Sequence, residues 1–482
     1  MVFAFWDAQA HLDIARRIVD STTPGLQMLG TVWLPLPHLL MLPFTLVDRW
    51  WWNGLAGGIV GLAAYIVIVA ALHALLMRRI GTSLAWAGTI FVALNPSLLY
   101  LQTTAMTEPV LLAALVLSVS ALDLWNHTGS RKILVLAACS AAVAVGSRYD
   151  GWFYLLVATP CVAWWAWPSP RAWPTPHPKR WLPDAAIFAA PSALMIAAWL
   201  IYNAVYFGDP LAFQRGAWSA QSQAAALAGQ QMVPTAHHPL VATAYYLAAT
   251  ALCSGIVLLL AAVPATAIML RHLRTQGVAL LLLTALPFNV LALWAQQSVI
   301  QLPWGHPAGL LNVRYGIMML PGLAAVVTLA LARVLRRLPR ARKPMLAALV
   351  GAILVQACLF AIHWPAWVGA LREGIAIRDG DPRQQVASDW LVTHYDGGRL
   401  LVDEAVNISP RTRIPLRNRV YRWTWLLGPA ALTAPEQNVD WVVVDTRHGN
   451  DVVAQAIADR PAFTQRFDRV FDDNGLAIWR RK

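Results

Sequence analysis

Long apolar stretches alternate with short polar ones along most of the chain. The stretches long enough, or nearly long enough, to cross a bilayer are 54–77, 83–101, 108–125, 132–148, 150–168, 184–206, 241–268, 277–297, 311–334 and 345–364. They predict about ten transmembrane helices, although 132–148 and 150–168 are short enough to form a helical hairpin instead of two full spans. The pattern indicates an α-helical polytopic membrane protein.

The pattern changes near residue 366 to that of a soluble domain. Charges there are mixed, with 16 Lys and Arg against 15 Asp and Glu, and the runs LLVDEA (400–405) and WVVVDT (441–446) have the composition of β-strands. We therefore predict a transmembrane domain over 1–365, in which 1–53 form the first extracytoplasmic loop. A small extracytoplasmic α/β domain is predicted over 366–482.

Composition agrees with a membrane protein. Of the 482 residues, 58% are hydrophobic and 13% are charged, and the mean hydropathy is +0.51. The four cysteines all lie in apolar runs, and their spacing does not suggest a metal site, so we interpret them as packed thiols.

The cations between the apolar stretches indicate which side each loop faces. If 1–53 lie outside, the loops of the opposite side contain fifteen cations and no acidic residue. The cations are Arg78, Arg79, Arg131, Lys132, Arg171, Lys179, Arg180, Arg271, Arg274, Arg333, Arg336, Arg337, Arg340, Arg342 and Lys343. Short basic loops stay in the cytoplasm. Topology thus accounts for the net charge of +13, and no nucleic-acid partner is expected. We predict an integral protein of a bacterial inner or plasma membrane.

With this orientation, nearly all the unusual polar residues before the C-terminal domain fall on the outer face. Such residues at the ends of spans are costly unless they pair or face water, so they predict one wet cavity that opens outward. They are Asp7, His11, Asp13, Glu108, Arg148, Tyr149, Asp150, Asp209, Arg215, His237, His238, Arg314 and Tyr315.

Several of these residues also have a purely structural interpretation. Glu108 followed by Pro109 is typical of a helix start. Arg148 and Asp150 could form an interfacial ion pair, and Arg314 could extend to the lipid headgroups. The adjacent His237 and His238 are typical of a solvated loop.

Five segments together resemble the GT-C superfamily of membrane glycosyltransferases. They are WDAQAHLDIARRI, GTVWLPLPHLL (30–40), NPSLLYLQTTAMTEP (95–109), GSRYDGW (146–152) and NVRYGIMMLPG (312–322). The resemblance covers roughly 3–365 and is strongest to bacterial relatives of the polyprenyl-phosphate-mannose protein mannosyltransferases and to the aminoarabinose transferases. The tail resembles the small extracytoplasmic domain that many members carry.

This resemblance implies an inverting transfer of a sugar from a polyprenyl-phosphate donor to a glycan, lipid or protein acceptor. Asp7 would then be the general base and Glu108 would position the acceptor, or the two would hold a divalent metal ion. Arg148 and Arg314 would contact the donor phosphate, while His11, Tyr149, Asp150, Tyr315 and His237 would line the substrate cavity. The alternatives are a transporter or flippase of lipid-linked glycans and a non-catalytic envelope assembly protein.

The beginning of the chain departs from the family pattern. Members place a membrane helix before the first outer loop, whereas six residues precede Asp7, and Ala8 stands where many members have a second acid. We therefore expect that a first transmembrane helix is encoded upstream of the recorded start.

Overall fold

The structure is a computed structural model that describes residues 1–167, 181–216, 219, 221, 222, 224, 225, 233–273, 277–338, 340, 342–404, 406, 408–424, 427–447, 449 and 451–482. Of the cations that predicted the topology, Arg171, Lys179, Arg180 and Arg274 lie outside these residues. The chain forms two compact units. The N-terminal segments 1–30 and 38–59 belong to one unit together with 374–482, and 31–37 with 60–373 form the other.

The larger unit, 31–37 with 60–373, is helical. Its long and medium α-helices are Leu55–Ile80, which begins in the other unit, Thr82–Ala93, Glu108–Thr128, Arg131–Ser147, Asp150–Ala166, Trp181–Phe207, Pro239–Ser254, Ile256–Leu270, Ala285–Trp294, Leu320–Arg337 and Arg342–Ile362. Shorter helices are Pro96–Leu101 and Ala212–Arg215, with 3-10 helices at Gly277–Leu283 and Val313–Met319. Leu36–Thr45 and Gly369–Gly380 run across the division between the units.

Within the described residues, six helical segments are long and apolar enough to cross a membrane, or seven if a bent pair counts as one span. They are Leu55–Ile80, Glu108–Thr128, Trp181–Phe207, Gly277–Trp294, Val313–Arg337 and Lys343–Ile362, and the bent pair is Pro239–Ser254 with Ile256–Leu270. These helices confirm the predicted class of α-helical polytopic membrane protein.

The structure has fewer candidate spans among its described residues than the ten predicted from the sequence, and the reasons are local. The predicted span 83–101 is interrupted at Asn95, whose side chain accepts the Leu98 N–H and caps a new helix beginning at Pro96. The predicted span 241–268 bends by 119° at Gly255, which has a φ of 104° that favours glycine. The helices Arg131–Ser147 and Asp150–Ala166 have 17 residues each, as the short apolar stretches there suggested.

The smaller unit, 1–30 and 38–59 with 374–482, contains a five-stranded sheet with the order β2-β1-β3-β5-β4. The strands are β1 (Leu400–Val402), β2 (Arg419–Val420), β3 (Trp441–Asp445), β4 (Phe467–Asp473) and β5 (Leu476–Arg481). β1 is parallel to β2 and β3, whereas β5 is antiparallel to β3 and β4. Together with its helices Pro382–His394, Leu427–Thr433, Pro435–Asn438, Val452–Ile457 and Pro461–Arg466, this confirms the predicted C-terminal α/β fold.

Successive residues of the central strands pack on opposite faces of the sheet. Leu400 and Val402 belong to one apolar core and Leu401 to the other, and Val443 and Val442 divide in the same way. Because side chains alternate along a strand, continuous apolar runs indicate strands buried on both faces. This explains the composition of LLV and WVVV.

The N-terminal segment of the smaller unit is helical and contacts the C-terminal residues of the same unit. It forms the helices Trp6–Arg17 and Asp48–Trp52 and a 3-10 turn at Leu26–Leu29. Asp13 pairs with Arg419 at 3.0 Å, and Asp20 pairs with Arg417 at 3.0 Å. The division at 365/366 stays a prediction, since the compact units group the first residues of the chain with its end.

Candidate functional site

Glu108 is the centre of a buried charge cluster in the larger unit. It is the first residue of the helix Glu108–Thr128, followed by Pro109, so the helix-start interpretation holds, and its side chain is 0% exposed. Its Oε1 accepts hydrogen bonds from Arg148 Nη1 at 3.2 Å and Arg314 Nε at 3.3 Å. Its Oε2 is buried and has no hydrogen-bond partner among the described residues.

Arg148 enters this cluster from the end of the helix Arg131–Ser147, where it is the C-terminal cap. Its Nε donates to Asp150 Oδ2 at 3.3 Å, and its Nη1 also donates to Thr107 Oγ1 at 3.2 Å. The ion pair with Asp150 therefore exists, but Asp150 is buried and the Arg148 side chain is only 18% exposed. Such a pair is not the solvated surface pair that contributes little to stability.

Arg314 lies in the 3-10 helix Val313–Met319 and is 3% exposed. Its guanidinium contacts Glu108 and Glu373, and its Cζ lies 5.2 Å from the centre of the Tyr315 ring. The Arg148 Cζ lies 4.8 Å from the same ring centre. Because Arg314 is enclosed by carboxylates and an aromatic ring, it does not extend to lipid headgroups.

Glu373 belongs to the cluster but was missed by sequence reasoning. It is 0% exposed, and its carboxylate accepts the backbone N–H groups of Asn312 at 2.9 Å and Arg314 at 2.8 Å. Burial raises the pKa of Glu373, while Arg314 and the two backbone N–H groups oppose that rise. The available signal is not a local one: Glu373 is the first Asp or Glu after Asp209.

The predicted cavity residues beside the cluster are only partly free to meet a ligand. The Tyr149 hydroxyl donates to the Val32 carbonyl at 3.1 Å, and its ring stacks on Phe213 with centroids 5.2 Å apart. Asp150 Oδ1 is buried and has no hydrogen-bond partner among the residues described. The carboxylates of Glu108, Asp150 and Glu373 thus meet the guanidinium groups of Arg148 and Arg314. The cluster carries one excess negative charge when all five groups are ionised.

His237 and His238 are exposed, as the solvated-loop interpretation expects. His237 Nε2 is hydrogen-bonded to Gln296 Nε2 at 2.9 Å, and its backbone N–H donates to the Trp294 carbonyl at 2.9 Å. Asp209 and Arg215 form an exposed pair at 3.4 Å. The contacts of His237 are therefore with a neighbouring turn and not with Glu108, Arg148 or Arg314.

Asp7 and His11 lie in the smaller unit, on the helix Trp6–Arg17. Asp7 is partly exposed in the first turn, and His11 is buried with its Nδ1 2.9 Å from His38 Nε2. The Asp13 carboxylate, six residues after Asp7, accepts from Trp51 Nε1 at 2.9 Å and from Arg419 Nη1 at 3.0 Å. Burial raises the pKa of Asp13, and Arg419 and Trp51 oppose that rise. A single cavity shared by Asp7 and Glu108 stays a prediction.

The fold has a counterpart among solved structures. The crystal structure of ArnT from Cupriavidus metallidurans in the apo state, an aminoarabinose transferase, matches with a TM-score of 0.57 over 98% of this chain and 92% of that chain. Sequence identity is 13%. The chain has the GT-C fold. The match confirms the fold that the sequence resemblance implied, and the apolar helices make the protein an integral membrane protein.

Comparisons by sequence alone give no such counterpart, because no family model and no curated protein matches the chain. The described residues also contain no group of three or more His, Cys, Asp or Glu side chains placed to hold a metal ion. A divalent ion held by Asp7 and Glu108 therefore stays a prediction.

Proposed function

We propose that this protein is an inverting glycosyltransferase that moves a sugar from a polyprenyl-phosphate donor to a glycan, lipid or protein acceptor at the extracytoplasmic membrane face. The observation that carries the proposal is the buried cluster of Glu108, Arg148 and Arg314 in a chain with the GT-C fold. Two guanidinium groups 3.2–3.3 Å from one carboxylate oxygen are held in place before any ligand arrives. Such preorganised cations can stabilise charge that develops on a leaving phosphate.

In the proposed reaction, Asp7 takes the proton of the acceptor hydroxyl as its oxygen attacks the anomeric carbon. The bond from that carbon to the phosphate oxygen breaks, the electron pair stays on the phosphate, and the configuration at carbon inverts. Asp7 suits a general base because it is a carboxylate with a partly exposed side chain. A proton can therefore reach it from a bound acceptor.

Arg148 and Arg314 have different parts in this proposal. The Arg148 side chain is 18% exposed, so its guanidinium is the one that a phosphate can contact with least rearrangement. The Arg314 side chain is 3% exposed and adds positive charge from a buried position. Glu108 fixes both cations. Its second carboxylate oxygen, Oε2, is buried without a hydrogen-bond partner among the described residues, so its contact with the acceptor requires that this oxygen become accessible. The chain's own residues thus supply a base, a phosphate clamp and an acceptor contact.

Transfer of radiolabel from a polyprenyl-phosphate sugar in proteoliposomes tests this function. We expect labelled acceptor with the wild-type protein and none with Asp7→Asn, which keeps the size of the side chain but cannot accept the proton. Exposed Asp379 gives a matched control, because Asp379→Asn makes the same change outside the proposed site.

Label that only moves between leaflets would indicate a flippase, and no label transfer with any polyprenyl donor would indicate an assembly protein. Near-normal transfer by Asp7→Asn would contradict the base assignment while leaving the glycosyltransferase activity intact.

A further inference from the structure

Four arginines and one histidine form a basic cluster at one end of the larger unit, where the helices Ile256–Leu270 and Leu320–Arg337 end. The basic cluster consists of Arg271, His272, Arg333, Arg336 and Arg337. The two helices pack against each other. Slight burial and the charges of Arg333, Arg337 and Arg271 lower the pKa of His272, as expected for a histidine beside these arginines. Topology predicts this end to be cytoplasmic.

The arginines of the basic cluster have no carboxylate partner among the described residues. Arg333 Nε is moreover buried with no hydrogen-bond partner there. No Asp or Glu between residues 210 and 372 is available to neutralise the cluster.

Three other cations predicted to face the cytoplasm are paired with carboxylates, unlike the arginines of the basic cluster. Arg78 and Arg79 both contact the Asp123 carboxylate, and Arg131 contacts Asp184 at 3.2 Å. The positive-inside rule explains why all these cations are predicted to lie at the same face. It does not explain why the arginines of the basic cluster have no carboxylate partner among the described residues.

An apolar groove of about 230 Å³ lies along the same two helices, farther from their charged ends. Val257, Leu258 and Ala261 line it from one helix and Val327 and Leu331 from the other. Met345, Ala348, Leu349 and Ala352 of the helix Arg342–Ile362 and Phe91 complete the lining. At 1.5 Å per helical residue, His272 lies roughly 16 Å beyond Ala261, within the length of a lipid acyl chain.

We propose that this face binds an anionic phospholipid, with the phosphate on the basic cluster and one acyl chain in the apolar groove. The phosphate supplies the negative charge that the cluster lacks and accepts hydrogen bonds from its guanidinium groups. Free phosphate would leave the apolar groove unfilled, whereas a phospholipid satisfies both features. Because the helices end at the membrane surface, headgroups are present there. The site is independent of the proposed glycosyl transfer.

Native mass spectrometry of the purified full chain tests the proposal, with phosphatidylglycerol and phosphatidylcholine of identical acyl chains as probes. We expect retention of phosphatidylglycerol over phosphatidylcholine. The double variant Arg333→Gln/Arg337→Gln should weaken phosphatidylglycerol binding about thirty-fold, since each arginine contributes roughly 1 kcal/mol near an anionic headgroup. Arg131→Gln, which removes a paired cation, should leave retention unchanged.

The groove is tested separately by Ala348→Phe, which fills it. This variant should reduce retention of long-chain phosphatidylglycerol at least several-fold but leave binding of dihexanoyl phosphatidylglycerol unchanged.

Equal retention of both headgroups by the wild-type protein would overturn the proposal even if every variant failed to fold. An equal loss of phosphatidylglycerol retention in Arg131→Gln and in the double variant would also overturn the proposal. Displacement of phosphatidylglycerol by an equimolar polyprenyl phosphate would show that a different lipid occupies the site.

Discussion

The Glu373 carboxylate binds both the backbone N–H and the guanidinium of Arg314. Glu373 Oε2 accepts the Arg314 backbone N–H at 2.8 Å, and Oε1 accepts from Arg314 Nη1. Oε1 also accepts the backbone N–H of Asn312 at 2.9 Å, and Asn312 itself has a left-handed φ of 57°. The carboxylate therefore fixes the turn that presents Arg314, and it compensates the charge of Arg314 when Glu108 is engaged with Arg148.

Replacing Glu373 by Gln should destabilise the protein by about 2 kcal/mol, because a buried hydrogen bond between charged groups becomes a neutral one. The variant keeps the size of the side chain, so the loss reports charge and not packing. Thermal unfolding of the purified protein in detergent measures it. Asp379→Asn is the control on the same helix, Gly369–Gly380, where the exposed pair with Arg378 contributes little. Equal melting temperatures for the two variants would contradict the conclusion that Glu373 fixes the turn that presents Arg314.

Arg148→Ala should raise the donor concentration needed for half-maximal transfer at least ten-fold, because a phosphate loses a buried cation. Arg148→Lys should recover part of the loss, since Lys restores charge without the planar fork of donors. Steady-state transfer at varied polyprenyl-phosphate sugar measures both. Arg215→Ala is the control, as Arg215 is 66% exposed in a weak pair with Asp209. Unchanged donor dependence in Arg148→Ala and also in Arg314→Ala would exclude the phosphate role.

Arg419 and Asp13 form a buried pair that should be strongly coupled. The Arg419 side chain is 0% exposed and also donates to the Ile408 carbonyl at 2.9 Å. Arg419→Met and Asp13→Leu should each destabilise the smaller unit by about 3–5 kcal/mol, because each leaves a buried charge alone. The double variant should lose much less than their sum. Thermal unfolding of the four proteins measures the coupling, and simple additivity would refute it.

Much of the fold follows from periodicity and composition. Uninterrupted apolar runs such as LAGGIVGLAAYIVIVAALHALL predict a membrane helix by length alone, and the runs around Leu400 and Trp441 predict strands buried on both faces. The bend at Gly255 is not evident from hydropathy, because the apolar pattern continues on both sides of it. Hydropathy averages over a window and does not register one residue with positive φ.

The candidate site was predicted in part for similar reasons. Glu108, Arg148 and Arg314 are conspicuous as charges at the ends of apolar runs, and the structure brings them together. Glu373 was not conspicuous, because it lies where mixed charge begins and a single acid there has no local signature. Asp13 is among the polar residues predicted for the outer face without a role of its own, and only the tertiary structure shows its pairing with Arg419, 406 residues away. Sequence spacing predicts neighbours within a helix but not partners between distant segments.

Gly316 gives the sharpest test of how closely the backbone beside Arg314 must approach its neighbour. A Cβ atom at Gly316 would lie 2.1 Å from the Ala249 carbonyl oxygen, and the Gly316 carbonyl already accepts from Ser254 Oγ at 2.8 Å. Gly316→Ala must therefore push the 3-10 helix Val313–Met319 away from the helix Pro239–Ser254. We expect a loss of about 1–3 kcal/mol in stability, as for other overpacked positions, and weaker donor binding because Arg314 moves with its backbone.

The matched control is Gly351→Ala, in the helix Arg342–Ile362, where no atom of the described residues beyond the local helix backbone and chain neighbours lies within 4 Å of the added methyl group. It should leave stability unchanged or raise it by up to about 1 kcal/mol, since Ala favours helix over Gly. Thermal unfolding and donor titration of both variants separate a steric effect from a general intolerance to alanine. A Gly316→Ala protein with the stability and donor dependence of Gly351→Ala would show that the backbone around Arg314 can shift without cost.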